Sequence, residues 1–367
     1  MIYFDNAASS FPKPEAVIKN TSFWISRNGA NPGRSGHAAA IKADETVYRC
    51  RKSVAELFGV MPENVVFTMN ATHALNIAIL GSISSSDHVL ISDLEHNSVY
   101  RPVFNSGADF SVVDTSGDII SNMRKSLKPN TKAVIMTMCS NLTGEKLPWK
   151  RIARFAKENG LLYIADASQC AGSTDIKVKE IGMDILCAPG HKGLYGLQGS
   201  GVMILNGAYP RPLIYGGSGS MSARPDMPED APERYEAGTL STPAIVSLYN
   251  GVEYIKSIGI GKIGEYERRL ANTLYEELSS DKRFSVIKKP QSGILAFNIN
   301  GVPSEQAALL LSDNGFCLRG GLHCSPLAHK KYGTMAFGAL RASFGVFNSD
   351  AEVKKFVYFL KNSYKVI

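Results

Sequence analysis

Five polar stretches stand where apolar runs end: Asn70-Ala71-Thr72-His73, Asp93-Leu94-Glu95-His96, Ser140-Asn141, Asp166-Ala167-Ser168-Gln169 and Pro189-Gly190-His191-Lys192. Ligands on open parallel sheets are held at the carboxyl ends of strands, so polar groups at each of these switches imply one ligand anchored from many strands. Lys192 offers an amine that can act as nucleophile or base. The N–H groups from Ala71 to His73 open a helix, where the dipole and free amides favour a phosphate. Each residue also has a plain structural alternative: Lys192 as a surface lysine after a turn, Asp166 as a helix N-cap, His96 as a satisfied structural histidine.

A second constellation is RGGLHCSP, residues 319–326. Its polar, glycine-rich surroundings argue against the buried thiol that is common for cysteine. Cys317, His323, Cys324 and His329 are zinc-ligand types, but their spacing matches no standard pair, and adjacent side chains do not easily turn to one ion; no metal site is expected. Gly259, Gly261 and Gly264 form a GxGxxG that joins two helical patterns and follows no strand, so it does not indicate a dinucleotide site.

The elements that must position these residues are visible as rhythm. The apolar runs 65–69, 88–93, 110–114, 132–138, 161–166, 184–188 and 201–205 alternate with amphipathic stretches such as 40–58, 72–81, 97–105 and 148–159. Near-continuous apolar strands separated by crossover helices predict an α/β fold, a mainly parallel sheet with helices on both faces. Beyond residue 243 the pattern becomes two long helices (243–258 and 262–280), strands at 294–300 and 339–345, and helices at 303–314 and 349–364. This predicts a large domain over 1–242 and a smaller α+β domain over 243–367. The polar Gly/Pro-rich stretch between them, 216–243, is too long for a plain connection and is expected to be a functional loop.

With 367 residues the chain exceeds one domain of ~150 residues, and its 44% hydrophobic and 20% charged content is that of a soluble globular protein. The net charge of +7 is spread over singles and pairs, so a nucleic-acid partner is not expected. No run approaches the ~18 apolar residues of a membrane helix, and MIYFDNAASS lacks a signal-peptide pattern; a cytoplasmic location is expected. Six cysteines without a CxxC read as reduced thiols.

Taken in order from YFDNAASSFPKP to ALRASFGVFNS, these motifs resemble the pyridoxal phosphate (PLP) enzymes of fold type I, within the class V aminotransferases, and most closely the cysteine desulfurase and selenocysteine lyase branch. The resemblance spans essentially the whole chain. It implies that Lys192 in PGHKGLYGLQG attaches the cofactor and moves the Cα proton, with Gly193, Gly196, Gly199 and Gly201 letting the backbone turn and approach a ligand. It implies that Asp166 holds the pyridine nitrogen protonated and that His96 stacks on the ring. Gln169 and Asn141 are implied at the ring 3-oxygen, and Ala71, Thr72, His73 and His191 at the phosphate. Pro189 stands where the family often has a serine, which moves that burden onto Thr72, His191 and the backbone.

Gly238-Thr239 in YEAGTLSTP resembles the segment that reaches the phosphate of a second subunit, which implies a homodimer. Cys324 is implied as the nucleophile that takes sulfur. A free cysteine has a pKa of ~8.5, so His323 or Arg319 beside it is expected to raise its thiolate fraction. Arg341 in ALRASFG resembles the arginine that grips the substrate carboxylate through its planar fork, with Arg319, Asn141, His37, Asn6, Ala7 and Ala8 implied near the substrate. The 16 residues between Cys324 and Arg341 resemble the short-loop branch and imply a docking sulfur acceptor. The expected activity is conversion of L-cysteine to L-alanine with a persulfide on Cys324. Selenocysteine lysis, another C–S lysis or transamination would use the same cofactor residues, and a non-catalytic sulfur carrier could retain the fold.

Overall fold

The computed structural model describes residues 1–33 and 35–362. The chain opens with β1 (Ile2–Tyr3), α1 (Glu15–Arg27) and α2 (Ala38–Phe58), and continues through β2 (Val65–Thr68), α3 (Ala71–Ser82), β3 (His88–Ser92), α4 (Asn97–Asn105) and β4 (Asp109–Val113). Next come α5 (Ile119–Lys125), β5 (Thr131–Thr137), α6 (Trp149–Glu158), β6 (Leu162–Asp166), α7 (Val178–Ile181), β7 (Ile185–Pro189) and β8 (Gly201–Leu205). The rest comprises α8 (Thr242–Ile258), α9 (Ile260–Ser279), β9 (Phe284–Val286), β10 (Ile294–Ile299), α10 (Ser304–Asp313), β11 (Phe316–Cys317), α11 (Pro326–Lys331), β12 (Leu340–Ser343) and α12 (Asp350–Asn362). Residues 363 and 364 of the expected last helix lie outside the described residues.

Seven strands form one sheet in the order β2-β8-β7-β6-β5-β3-β4. β2, β3, β7 and β8 are buried along their whole length, as their unbroken apolar sequence requires of strands covered on both faces. All pairs are parallel except those of β8, which runs antiparallel to both β7 and β2. The Gly190–Ser200 connection carries no helix, and without a crossover the chain can only fold back on itself. The carboxyl ends of β3, β5, β6 and β7 therefore open side by side on one edge.

A second, three-stranded antiparallel sheet, β12-β10-β9, packs Leu295, Phe297 and Leu340 against Leu270, Leu274, Leu311 and Phe356. The two cores each draw on both sides of residue 242. Ile245, Leu248, Val252 and Ile255 of α8 belong to the core of the large sheet. Ile2 and Phe4 join the second core, because β1 pairs with β11. Among the described residues no helix is long and apolar enough to cross a membrane.

Candidate active site

The edge where those strands end holds a cavity of about 260 Å³. Its wall takes Ala71 and Thr72 from α3, His96 from the β3–α4 turn, and Asn141 from after β5. Asp166 and Gln169 from the end of β6, and His191 and Lys192 from after β7, complete it. Eight residues singled out from sequence thus meet in one space. Asn70, Ser98, Cys139 and Ser168 also line it, and nothing in the sequence pattern marked Ser98 or Cys139.

Lys192 is largely buried, and its Nζ makes no hydrogen bond among the described residues. Burial is the main cause that pushes its pKa down to about 8; Arg341 and Arg319 push the same way and Asp166 opposes them. Asp166 accepts from the Ser168 N–H through Oδ1 at 2.9 Å, which leaves Oδ2 for a cavity ligand. Gly193 is required by chain packing: a Cβ there would lie 2.3 Å from the Ala171 carbonyl oxygen. Its smallness lets two backbone segments touch there.

His96 is the N-cap of α4. Its Nδ1 accepts from the Ser98 N–H at 3.0 Å, so the neutral ring carries its proton on Nε2. Burial drives its pKa down to about 4 against the opposing Asp166 charge. The Ser98 hydroxyl lies 2.9 Å from the same Nδ1 and 2.7 Å from Thr72 Oγ1, which links the ring to the start of α3.

At that start the side chain of Asn70 accepts from the His73 N–H at 2.9 Å, and the His73 ring accepts from the Met69 N–H at 3.3 Å. The amide of His73 is thus already satisfied by Asn70, while the Ala71 and Thr72 N–H groups stay without acceptors among the described residues. His191 faces the cavity with a buried Nδ1 that has no partner among the described residues. An anion between Ala71, Thr72 and His191 would satisfy these groups together, so the donor set fits a phosphate.

Cys324 is exposed and lines a groove shared with His96 and Thr72. His323 and Cys324 are consecutive residues with φ of 50° and 56°, in the left-handed region that non-glycine residues rarely occupy. The loop is pinned on the large sheet: the Asn97 N–H donates to the Cys324 carbonyl at 2.8 Å, Asn141 Nδ2 donates to the His323 carbonyl at 2.8 Å, and the Ser325 hydroxyl donates to Asn141 Oδ1.

His323 does not supply the charge expected beside the thiol. Its ring turns inward, Nε2 lies 2.9 Å from the Ala339 carbonyl, and burial pushes its pKa down to about 3. Arg319 is the free cation: among the described residues its guanidinium has no ion-pair or hydrogen-bond partner. Arg341 is 2% exposed, donates to the Asn141 carbonyl at 3.0 Å and to Asp5 Oδ1 at 2.8 Å, and keeps a buried Nε without an acceptor among the described residues.

The softer sequence assignments separate from the cavity. Asn6 spends its side chain on Ser343, Asn348 and Phe11. The Ala7 carbonyl accepts from Gln169 Nε2 at 3.1 Å, and the Ala8 N–H donates to the Asp5 carbonyl at 3.0 Å. Asn6 and Ala7 line a smaller chamber that also borders Lys192 and Gln169. His37 caps α2 by accepting from the Ala40 N–H at 3.2 Å and does not line the cavity. Gly238 lines a different cavity beside Arg51 and Glu236, and Thr239 Oγ1 accepts from Asn31 at 3.4 Å. Within one chain neither reaches the phosphate end.

Residues 2–356 match the family model described as aminotransferase class-V, and the chain belongs to that family. Its similarity extends to a probable cysteine desulfurase from Methanothermobacter thermautotrophicus, 30% identical with 96% of this chain and 92% of the relative covered. A probable cysteine desulfurase from Pyrococcus abyssi is also 30% identical, with 100% and 94% covered. Among solved structures, the apo cysteine desulfurase from Thermococcus onnurineus NA1 superposes with a TM-score of 0.90 at 28% identity, covering 100% of this chain and 95% of the other.

Proposed function

We propose that this protein is a PLP-dependent cysteine desulfurase in which L-cysteine and the Cys324 thiol become L-alanine and a Cys324 persulfide. The observation that carries this reading is an exposed thiol, Cys324, in a groove that shares His96 and Thr72 with the cavity of Lys192 and Asp166. Bound in that cavity, PLP supplies an electron sink that acidifies the substrate Cα–H. Ala71, Thr72 and His191 would hold its phosphate, Asp166 its ring nitrogen, and His96 would cover one face.

Lys192, with a pKa near 8, has a useful neutral fraction at cellular pH and takes the Cα proton on Nζ. Arg341 Nε and the free Arg319 guanidinium are the donors for the substrate carboxylate. The sulfur step balances without an oxidant: the C–S bond of cysteine breaks, an S–S bond forms at Cys324, and the organic product is alanine. We infer a homodimer, since Gly238 and Thr239 do not reach their own chain's cavity, and a cytoplasmic enzyme that hands its persulfide to an acceptor protein. Feeding L-cysteine to the purified holoenzyme and quantifying alanine and Cys324 persulfide, with and without reductant, tests the reading. Inert cysteine beside turnover of another amino acid would replace it with a different class V reaction.

A further inference from the structure

Cys324 and His96 come from distant parts of the chain, and two ties bind their segments together. The first is the bond from the Asn97 N–H to the Cys324 carbonyl, 2.8 Å. The second lies at the far end of α11, the helix that follows Cys324. There Lys331 Nζ donates to Asp93 Oδ2 at 2.9 Å and to the Thr115 hydroxyl. Asp93 is fixed in turn by Thr115, whose N–H and hydroxyl donate to its two carboxylate oxygens at 3.2 and 2.7 Å. Asp93 and Asn97 are the two ends of the turn that carries His96, so both ties converge on that turn.

Three features show that this segment needs external fixing. His323 and Cys324 hold left-handed backbone conformations, each of which costs about 1–3 kcal/mol. The six-residue α11 has no side-chain cap at its N-terminus, and a helix so short does not stand alone. The Lys331 and Asp93 side chains are only 12% and 13% exposed, so the pair has paid desolvation, a pattern best explained by geometry that must be specified. None of Lys331, Asp93 and Thr115 lines the cofactor cavity or the Cys324 groove.

We propose that Lys331, acting through Asp93, is a positioning residue for the sulfur step: the ion pair locks the Cys324 loop onto the turn that bears His96 and so aims the thiol. The proposal rests on the desulfurase reading for the step it serves, and on geometry alone for the lock itself.

The test compares holoenzyme carrying Lys331→Met, Lys331→Arg or Asp93→Asn/Lys331→Met with wild type. A misplacement of about 1 Å costs on the order of 100-fold in rate, so Lys331→Met should slow single-turnover persulfide formation about 10- to 100-fold. Cα–deuterium exchange of L-alanine, which needs Lys192 and not Cys324, should stay within about two-fold of wild type. Hydrogen exchange of the Asn97 amide should accelerate about ten-fold or more, because its acceptor is released. Lys331→Arg should rescue both readouts. The double variant, which leaves no unpaired buried charge, should behave as Lys331→Met does.

Equal loss of persulfide formation and Cα exchange, or unchanged persulfide formation in a folded variant, would overturn the proposal. If Lys331→Met does not fold, Thr115→Val removes one partner without stranding a charge; a smaller loss of the same kind is expected, and no change in persulfide formation or Asn97 exchange overturns it equally. If wild type makes no persulfide from cysteine, the functional reading fails. The Asn97 exchange and the iodoacetamide alkylation rate of Cys324 then still decide whether the lock exists.

Discussion

Arg341 Nη2 and Asp5 Oδ1, 336 residues apart in sequence, lie 2.8 Å apart. The guanidinium is buried; its Nη1 donates to the Asn141 carbonyl, and its Nε–H has no acceptor among the described residues. Asp5 therefore neutralises and orients Arg341, the arginine proposed to take the substrate carboxylate. Removing one partner of a buried ion pair costs about 3 kcal/mol or more. Asp5→Asn should lower holoenzyme stability by that order in denaturant titration. L-Alanine should restore more stability to the variant than it adds to wild type, because its carboxylate replaces the lost charge. Equal ligand stabilisation of both proteins would separate Arg341 from carboxylate binding.

His96 should be neutral with its proton on Nε2 throughout the working pH range. The Ser98 N–H fixes Nδ1 as the acceptor, and burial holds the pKa near 4. Nitrogen NMR of labelled apoprotein should show one ring tautomer, unchanged from pH 8 down to pH 5.5. A titration near the ordinary value of ~6.5, or a proton on Nδ1, would contradict this.

Lys192 is expected to lower the stability of the apoprotein. Its folded pKa of about 8 lies below the ordinary lysine value of 10.5, so the folded state binds its proton less tightly than the unfolded state does. The penalty is complete below pH 8, where both states are protonated; it fades as pH rises through the window and vanishes above 10.5, where both are neutral. Lys192→Met apoprotein should therefore be more stable than wild-type apoprotein at pH 7, by up to about 3 kcal/mol. The gain should shrink as pH rises from 8 to 10, and a pH-independent difference would assign it to packing instead.

The strands and their functional ends were legible because both signals are local. Apolar runs mark strands covered on two faces, and the polar residue after each run marks the edge where Asp166, His96 and Lys192 meet. What escaped depends on partners far along the chain. Nothing in the spacing of Asn70 and His73 says that the asparagine takes the His73 amide, and nothing in RGGLHCSP says that His323 turns inward to Ala339. The pairing of Asp5 with Arg341 and of Lys331 with Asp93 joins segments that share no pattern. The direction of β8, set by the lack of a crossover helix between Gly190 and Ser200, was not read from its apolar run, which looks the same whichever way the strand points. Nor was the side taken by α8, since an amphipathic helix shows that it buries a face but not against which core.

The division of labour between Lys192 and Cys324 separates a desulfurase from other class V enzymes. On the proposed roles, Cα proton removal draws on the Lys192 amine and the Asp166 carboxylate, both inside the cavity, whereas Cys324 stands outside it in the groove beside His96. Replacing Cys324 with Ser keeps the loop's backbone bonds to Asn97 and Asn141 and removes only the sulfur. PLP absorbance, borohydride fixation of PLP at Lys192 and the spectral response to cysteine should be those of wild type. Persulfide should disappear. Alanine release from cysteine should fall by roughly 1000-fold or more, because a hydroxyl near neutral pH is far less ionised than a thiol of pKa ~8.5. Selenocysteine offers the complementary measurement: its selenium leaves more readily than sulfur, so Cys324→Ser should retain much more of its activity with selenocysteine than with cysteine. Undiminished alanine release from cysteine by the variant would remove Cys324 from the reaction and assign the protein to lyase or transaminase chemistry built on the same cavity.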